Sequence, residues 1–448
     1  MTDRHVYATE SAALPGTFDN EYPNLDAAWT AASNDDAIYI HSGTYSGSGT
    51  NVHLTLQTKT GISINGFAGD TMPILDVKSA ADTAFVTKVG VVFDGLHLRD
   101  PNFYCIRLDT GSYGVEFLNG ILEIAGGVEG MLGNHNSVDN IKLSGSTVYQ
   151  KNDQSAPANN TYGIRSIGTG DVGWFVEGNE FYGLKYHISA GASSSFTMTQ
   201  NLHRNDEAAR NNTVYAINWK VTAGTSIAKN SVFDEMGRGI DFGSGNDGFL
   251  SASNNTFFNN QYGIACWGRY LGEIKNNIFL ANDTAIVGDS GGDQPAPDTN
   301  CLFDNLSDVV DYTADINSVT DDPGLIDALG GNYSIDDTSP CFDAGLTLSY
   351  ITDDYVALAR PQGAGYDIGA YEVFVPIVQF QSFASSSLSG SAFPGYIIRS
   401  MGEANNDRQK RRRTAEDAVD QLDQVPFAYT VPGPFGLRGR SASYKVTQ

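Results

Sequence analysis

The sequence predicts an all-β solenoid, a single-stranded parallel β-helix, from three observations: a fourfold Asn-x-x-Phe repeat, an apolar strand start after each unit, and turns of Gly, Asn and Asp that leave no room for long helices. The units are Asn230-Ser-Val-Phe233, Asn254-Asn-Thr-Phe257, Asn276-Asn-Ile-Phe279 and Asn300-Cys-Leu-Phe303, with phenylalanines 24, 22 and 24 residues apart. They continue into Gly239-Ile240, Gly263-Ile264, Ala285-Ile286 and Val309-Val310. Self-similarity at this period marks a solenoid, and a coil of a parallel β-helix uses such a length.

In a β-helix each coil sits on the one before at the inter-strand distance of roughly 4.8 Å, so phenylalanines are expected to stack on phenylalanines. An inward Asn at each bend is expected to satisfy backbone groups, bond the Asn above and below, and accept the left-handed backbone of a corner. Helical repeats would need Ala, Leu and Glu at 3.6 spacing, whereas this chain has 49 Gly and breaks every apolar run early.

Earlier coils are spelled more weakly. Val91 to Leu98, Gly114 to Ile124 and Ile141 to Tyr149 read as successive coils, and Trp174 to Ile188, with Asn179-Glu-Phe181, nearly fits the later template. The unit from Phe196 to Ala216 fits poorly, with His203 near the Phe position, and the polar stretch 201–212 reads as a loop leaving the coil.

At 448 residues the chain exceeds a usual single core, a limit solenoids escape because each coil packs only on its neighbours. Residues 1–372 carry a net charge of −28 and residues 373–448 a net +3, which marks a boundary between body and extension. The acidic body excludes nucleic acid and anionic membranes as partners and disfavours acidic polysaccharides. No window approaches a membrane span, and the N-terminus lacks an apolar signal core, so a virion location is expected, with secretion after signal removal as the alternative. Cys105, Cys266, Cys301 and Cys341 are too scattered for a disulfide framework; buried free thiols are expected, with a Cys301–Cys341 bridge as the alternative.

Tyr22-Pro-Asn-Leu25-Asp-Ala-Ala-Trp29 followed by Asp35 to Tyr45, and the ordered series Asp322-Pro-Gly-Leu325, Asn332-Tyr-Ser-Ile335, Ser339 to Gly345, Ala359 to Gly363 and Asp367 to Glu372, resemble the two ends of pectin-lyase-like right-handed parallel β-helix proteins of bacterial and phage type. The resemblance covers residues of about 5–372 and implies architecture rather than activity. It implies an N-terminal cap and first coil over 1–45, coils over 46–320, a C-terminal cap over 321–372 and an unrelated extension over 373–448. Leu25, Ala28 and Trp29 on one helix face are expected to cover the first coil, and the run from Asp321 to Gln362 the last. Asp343, Arg360 and Asp367 then serve as turn and cap hydrogen-bonders.

The densest candidate for catalysis is Asp234, Glu235 and Asp241 beside Arg238, with Tyr262, Trp267, Arg269 and Tyr270 as carbohydrate platforms. Glycosidases need two carboxylates across one substrate, and lyases a base near a cation. Against this, 52 acidic residues guarantee some cluster, and the polygalacturonase spellings Asn-Thr-Asp and Gly-His-Gly are missing, so solvated corners are the favoured reading. The seven histidines form no paired-ligand pattern, and no metal or other cofactor is expected. Gly243 to Gly248 and Gly288 to Asp293 fall short of a calcium loop and read as turns, so calcium stays a minor alternative.

After the short apolar run Val373 to Phe380, the stretch Ser385 to Ser391 reads as a linker. A helix is expected over Asn406 to Leu422, followed by a Pro- and Gly-rich arm. Arg411, Arg412, Arg413, Phe427, Tyr429 and Phe435 are candidate anchors to other virion proteins through residues 381–448, a disordered tail being the alternative. Two functions follow. The favoured one is a non-enzymatic phage virion structural protein (fibre, spike or decoration component) with a glycan- or host-binding body; the alternative is a polysaccharide lyase or glycoside hydrolase of tailspike type. No heptads argue for a particular homo-oligomer.

Overall fold

The computed structural model describes residues 2–375 except 9–17, 47–49, 53, 78–82, 100, 102, 126–128, 134–137, 152–160, 168–171, 192–194, 206–212, 221–224, 244–247, 268–271 and 289–294. Among the described residues the strands form three parallel sheets, A, B and C, of twelve, eleven and eleven strands. Each coil contributes one strand to each sheet in turn, as in Thr225–Lys229 (A), Val232–Asp234 (B) and Arg238–Phe242 (C), before the next begins at Phe249–Ser253. The fold is the right-handed parallel β-helix that the repeat predicts.

Phe233, Phe257 and Phe279 are in register, their rings stacked at 4.6 and 4.7 Å. The fourth unit is offset from the expected alignment. Leu302 rather than Phe303 pairs with Phe279, because Asn300 aligns with Asn277 and not with Asn276. The cause lies in the corner, which uses two residues with different tasks. Asn230, Asn254, Asn276 and Thr299 adopt the left-handed backbone (φ 49° to 57°), and the residue after each turns inward. That second residue builds the buried ladder: the Asn255 amide donates to Asn277 Oδ1 at 3.0 Å, and Asn277 donates to Asn300 Oδ1 at 2.9 Å. A second ladder, Asn260 to Asn282 to Asn305, lines the corner between sheets B and C.

The weak unit is a full coil. Leu202–Arg204 is a strand of sheet B, so the expected loop does not begin at Asn201; residues 206–212 are outside the described set. His203 takes the phenylalanine position, stacked on Phe181 at 5.1 Å and Phe233 at 5.0 Å. At the N-terminal end, Asn24 caps the helix Leu25–Ala31, whose Leu25, Ala28 and Trp29 are buried against the first coil.

Residues 321–375 run along the side of the solenoid, where sequence reasoning set them over its end. Gln200, Lys229, Asn230, Asn254 and Asn276 donate to the carbonyls of Asp354, Tyr350, Asp353, Asp367 and Leu346, respectively. The left-handed Asn column that signals the repeat therefore faces outward and holds this strap. Apolar packing of Tyr333, Tyr355 and Tyr371 on Val232 and Phe258 completes the attachment. Inside the strap, fully buried Arg360 pairs with Glu372 at 2.7 Å and donates to the carbonyls of Asp367 and Gly369, while Asp367 accepts from the backbone N–H of Asp343 and Val373. These are the structural roles expected of Asp343, Arg360 and Asp367. All four cysteines are buried free thiols.

Candidate functional site

Asp234 and Asp241 do not share a substrate face. Asp234 closes a strand of sheet B and Asp241 lies on a strand of sheet C, with the corner residues 235–237 between them. Glu235 sits at that corner in the left-handed conformation (φ 55°), its Oε1 accepting from Asn259 at 3.4 Å. Asp234 lies under the strap and accepts the Tyr333 hydroxyl at 2.6 Å, while its other oxygen is buried without a partner. Burial, offset in part by the Tyr333 hydrogen bond, pushes its pKa up to about 7. Asp241 is 6% exposed and held by Arg238 at 2.5 Å and the Trp267 indole N–H at 3.1 Å. Arg269 and Tyr270 are outside the described residues, as are Arg411, Arg412, Arg413, Phe427, Tyr429 and Phe435.

Asp241, Tyr262 and Trp267 belong to a longer feature, a ladder on the outer face of sheet C. Successive coils set Tyr104, Glu129, Tyr162, Tyr186, Tyr215, Arg238 and Tyr262 in one column. Arg165, Ser189, Asn218 and Asp241 form the adjacent column. Tyr162, Tyr186 and Tyr215 stack at 4.6 and 5.0 Å. The Arg238 guanidinium lies 5.1 Å from the Tyr215 ring, 5.9 Å from Tyr262 and 5.3 Å from Trp267, and Arg165 lies 4.6 Å from Tyr162. These faces are occupied by one another, so what the ladder offers outward is ring edges, phenol hydroxyls and polar groups. Burial raises the Tyr186 hydroxyl to about 12 and raises Tyr162 and Tyr215 as well, keeping all three as donors.

Among the described residues of this sheet, the polar atoms buried without a partner include Asn218 Oδ1, Glu129 Oε2 and Arg238 Nε. Native proteins rarely leave such atoms unmet, since each costs about 1–3 kcal/mol. Sequence reasoning missed the ladder's first members, although a signal was present in the recurring Tyr162-Gly-Ile164, Tyr186-His-Ile188, Tyr215-Ala-Ile217 and Tyr262-Gly-Ile264. Among the described residues no group of three His, Cys, Asp or Glu gathers into a metal-sized cluster, and no helix is long and apolar enough to cross a membrane. The interiors of the two Gly- and Asp-rich turns, 244–247 and 289–294, are outside the described residues.

The buried carboxylates set a pH dependence opposite to ordinary acid denaturation. Burial raises Asp234 to about 7 and both Asp315 and Asp367 to about 6, above the usual 3.8. A raised folded-state pKa contributes stability that is complete below the unfolded value and is lost as pH climbs through the folded one. These carboxylates therefore favour a rise of the urea midpoint on acidification from about pH 8 to about pH 5, a difference that His187 and His203, whose pKa values burial lowers, oppose below about pH 6.5. Asp234→Asn should remove roughly 2–4 kcal/mol of that difference. An unchanged pH profile in the variant would show that Asp234 is not the titrating group.

No protein-family model and no curated protein matches the sequence. Solved structures match in fold: the crystal structure of pectate lyase Pel9A superposes with a TM-score of 0.58 at 14% identity, over 83% of this chain and 96% of that one. A rhamnogalacturonan lyase gives a TM-score of 0.47 at 14% identity, over 62% of this chain and 82% of that one. XylC in complex with xylose gives 0.44 at 9% identity, over 83% and 98%.

Proposed function

Given that the chain is a pectin-lyase-like right-handed parallel β-helix, we propose that it is a non-catalytic shaft that binds a glycan chain along the outer face of sheet C. The observation that carries this reading is the ladder itself. Phenol hydroxyls recur on the three successive coils of Tyr162, Tyr186 and Tyr215, where the hydroxyls of a glycan laid along the axis would meet them. The acidic body, net −28 over residues 1–372, favours a neutral glycan over an acidic one. Carboxylates suited to acid–base work are committed elsewhere, Asp241 to Arg238 and Trp267, and Asp234 to Tyr333 on a different sheet. In keeping with the basic, aromatic composition of residues 381–448, the shaft is proposed to be a phage fibre, spike or decoration component held to its particle by that arm.

Affinity electrophoresis in gels containing neutral polysaccharides tests the binding face. The full chain is expected to be retarded, and Tyr186→Phe, which removes one hydroxyl of the ladder, to bind about two- to tenfold more weakly. Equal retardation of the two would refute the assignment of this face. A chain lacking residues 381–448 is expected to be retarded normally yet to fail to join particles, and normal incorporation would exclude the arm as the anchor.

A further inference from the structure

Cys301 and Cys341 come from segments that only the fold brings together. Cys301 starts the strand Cys301–Phe303 at the end of sheet B, and Cys341 lies in the strap. Both are fully buried in one apolar cluster with Ile278, Ile335 and Ile368, against which Val373 and Phe303 also pack. The Cys341 backbone is fixed on both sides, its carbonyl accepting from Ile368 at 2.9 Å and its N–H donating to Ser339 Oγ at 3.1 Å. The Cys301 thiol donates to the Asp321 carbonyl at 3.6 Å, and both cysteines pack within that one cluster. Cys105 and Cys266, by contrast, lie in the main core cluster.

We propose that Cys301 and Cys341 are a redox-closable bridge that locks the strap onto the final coils. Closure by a small-molecule disulfide is balanced. A thiolate of one cysteine attacks oxidised glutathione and releases one glutathione thiolate; the second cysteine then displaces the other, and the two glutathione thiolates take up the two protons lost by the cysteines, leaving one protein disulfide and two glutathione thiols. Its interaction with Cys341 and its burial raise the Cys301 pKa, and both cysteines are shut off from solvent, so exchange waits until the strap opens locally. The bridge would close in an oxidising medium outside a cell and stay open in a reducing cytoplasm. Val373, at the start of the C-terminal extension, packs against this cluster, so a closed bridge would pass load from the extension to the solenoid.

The strap provides its own assay, since Leu329, 88% exposed in the turn between Asp327 and Asn332, lies between the two cysteines in sequence. The full chain, incubated with oxidised glutathione in urea just below unfolding, is blocked with iodoacetamide, nicked with a protease specific for apolar side chains and run on a denaturing gel. Fragments on either side of residue 329, identified by mass, are expected to stay joined without reductant and to separate with it. The unoxidised chain should separate in both lanes. Separation without reductant after oxidation overturns the proposal, as does a joined pair that persists in Cys341→Ala.

Discussion

Arg360→Ala is expected to release residues 321–375 from the side of the solenoid while the coils stay folded. Arg360 is fully buried, paired with Glu372 and hydrogen-bonded to the carbonyls of Asp353, Asp367 and Gly369. Deleting the guanidinium leaves Glu372 buried near Asp354 and Asp367, whose carboxylates it already repels or adjoins. Breaking one side of a buried ion pair costs about 3–5 kcal/mol, more than the pair itself contributes, because the remaining charge keeps its desolvation penalty. Arg360→Lys keeps the charge but not the planar fork that reaches three carbonyls and a carboxylate, so an intermediate loss is expected. Hydrogen exchange by mass spectrometry checks both variants. Protection should collapse at Tyr355, Ile368 and Ala370 and persist at Ile240, Ile264 and Ile286. Unchanged protection of the strap would show that the apolar packing of Tyr333, Tyr355 and Tyr371 suffices to hold it.

A double-mutant cycle at His187 and His203 is expected to reverse sign. In the regular coils the inward ring of one coil packs over a small residue of the coil before: a Cβ added to Gly239 or Gly263 would lie 2.8 Å from the Phe257 or Phe279 ring. His187 occupies the small-residue position, and the ring that meets it is His203, with Nδ1 to Nδ1 at 3.2 Å. The two departures from the repeat therefore compensate each other. The compensation is costly, since both Nε2 atoms are buried without a partner. Burial holds His203 down at about 3 and His187 well below its ordinary value, so both stay neutral. His203→Phe alone should destabilise by about 1–3 kcal/mol through overpacking. His187→Ala alone should cost about 2–4 kcal/mol, through the cavity and the stranded His203. Together they recreate the Ala216 and Phe233 arrangement of the next coil and should exceed the parent in stability by about 1–3 kcal/mol, as read from urea unfolding. Additive losses in the double variant would mean that the two positions are not coupled.

The period of the sequence made the architecture legible because stacking imposes the same side chain at the same inward place; Phe233, Phe257 and Phe279 could be placed from spacing alone. Where the corner holds two candidates the spacing is ambiguous, and Asn300-Cys-Leu-Phe303 fits the repeat in two registers that only the inward Asn ladder separates. The strap was legible as a motif series but not as a path. Its course depends on outward amides at Asn230, Asn254 and Asn276, and sequence does not say which of two corner residues faces out. The candidate site failed for a similar reason: three corner residues separate Asp234 from Asp241, enough to move one from sheet B to sheet C. The tyrosine ladder was written plainly as Tyr-x-Ile and went unread because its members are 24, 29 and 47 residues apart, with unequal loops between coils and Arg238 in the last gap.

The most direct test of the central claim is the chain length of a glycan before and after it meets the protein. A panel of neutral and acidic polysaccharides is incubated with the full chain, with and without added calcium, then analysed for new reducing ends and unsaturated termini. A non-catalytic binding face predicts that the neutral polymer is retained by the protein and recovered at unchanged length. Shortened or unsaturated products that disappear in Asp241→Asn or Asp234→Asn would contradict it and make the chain an enzyme.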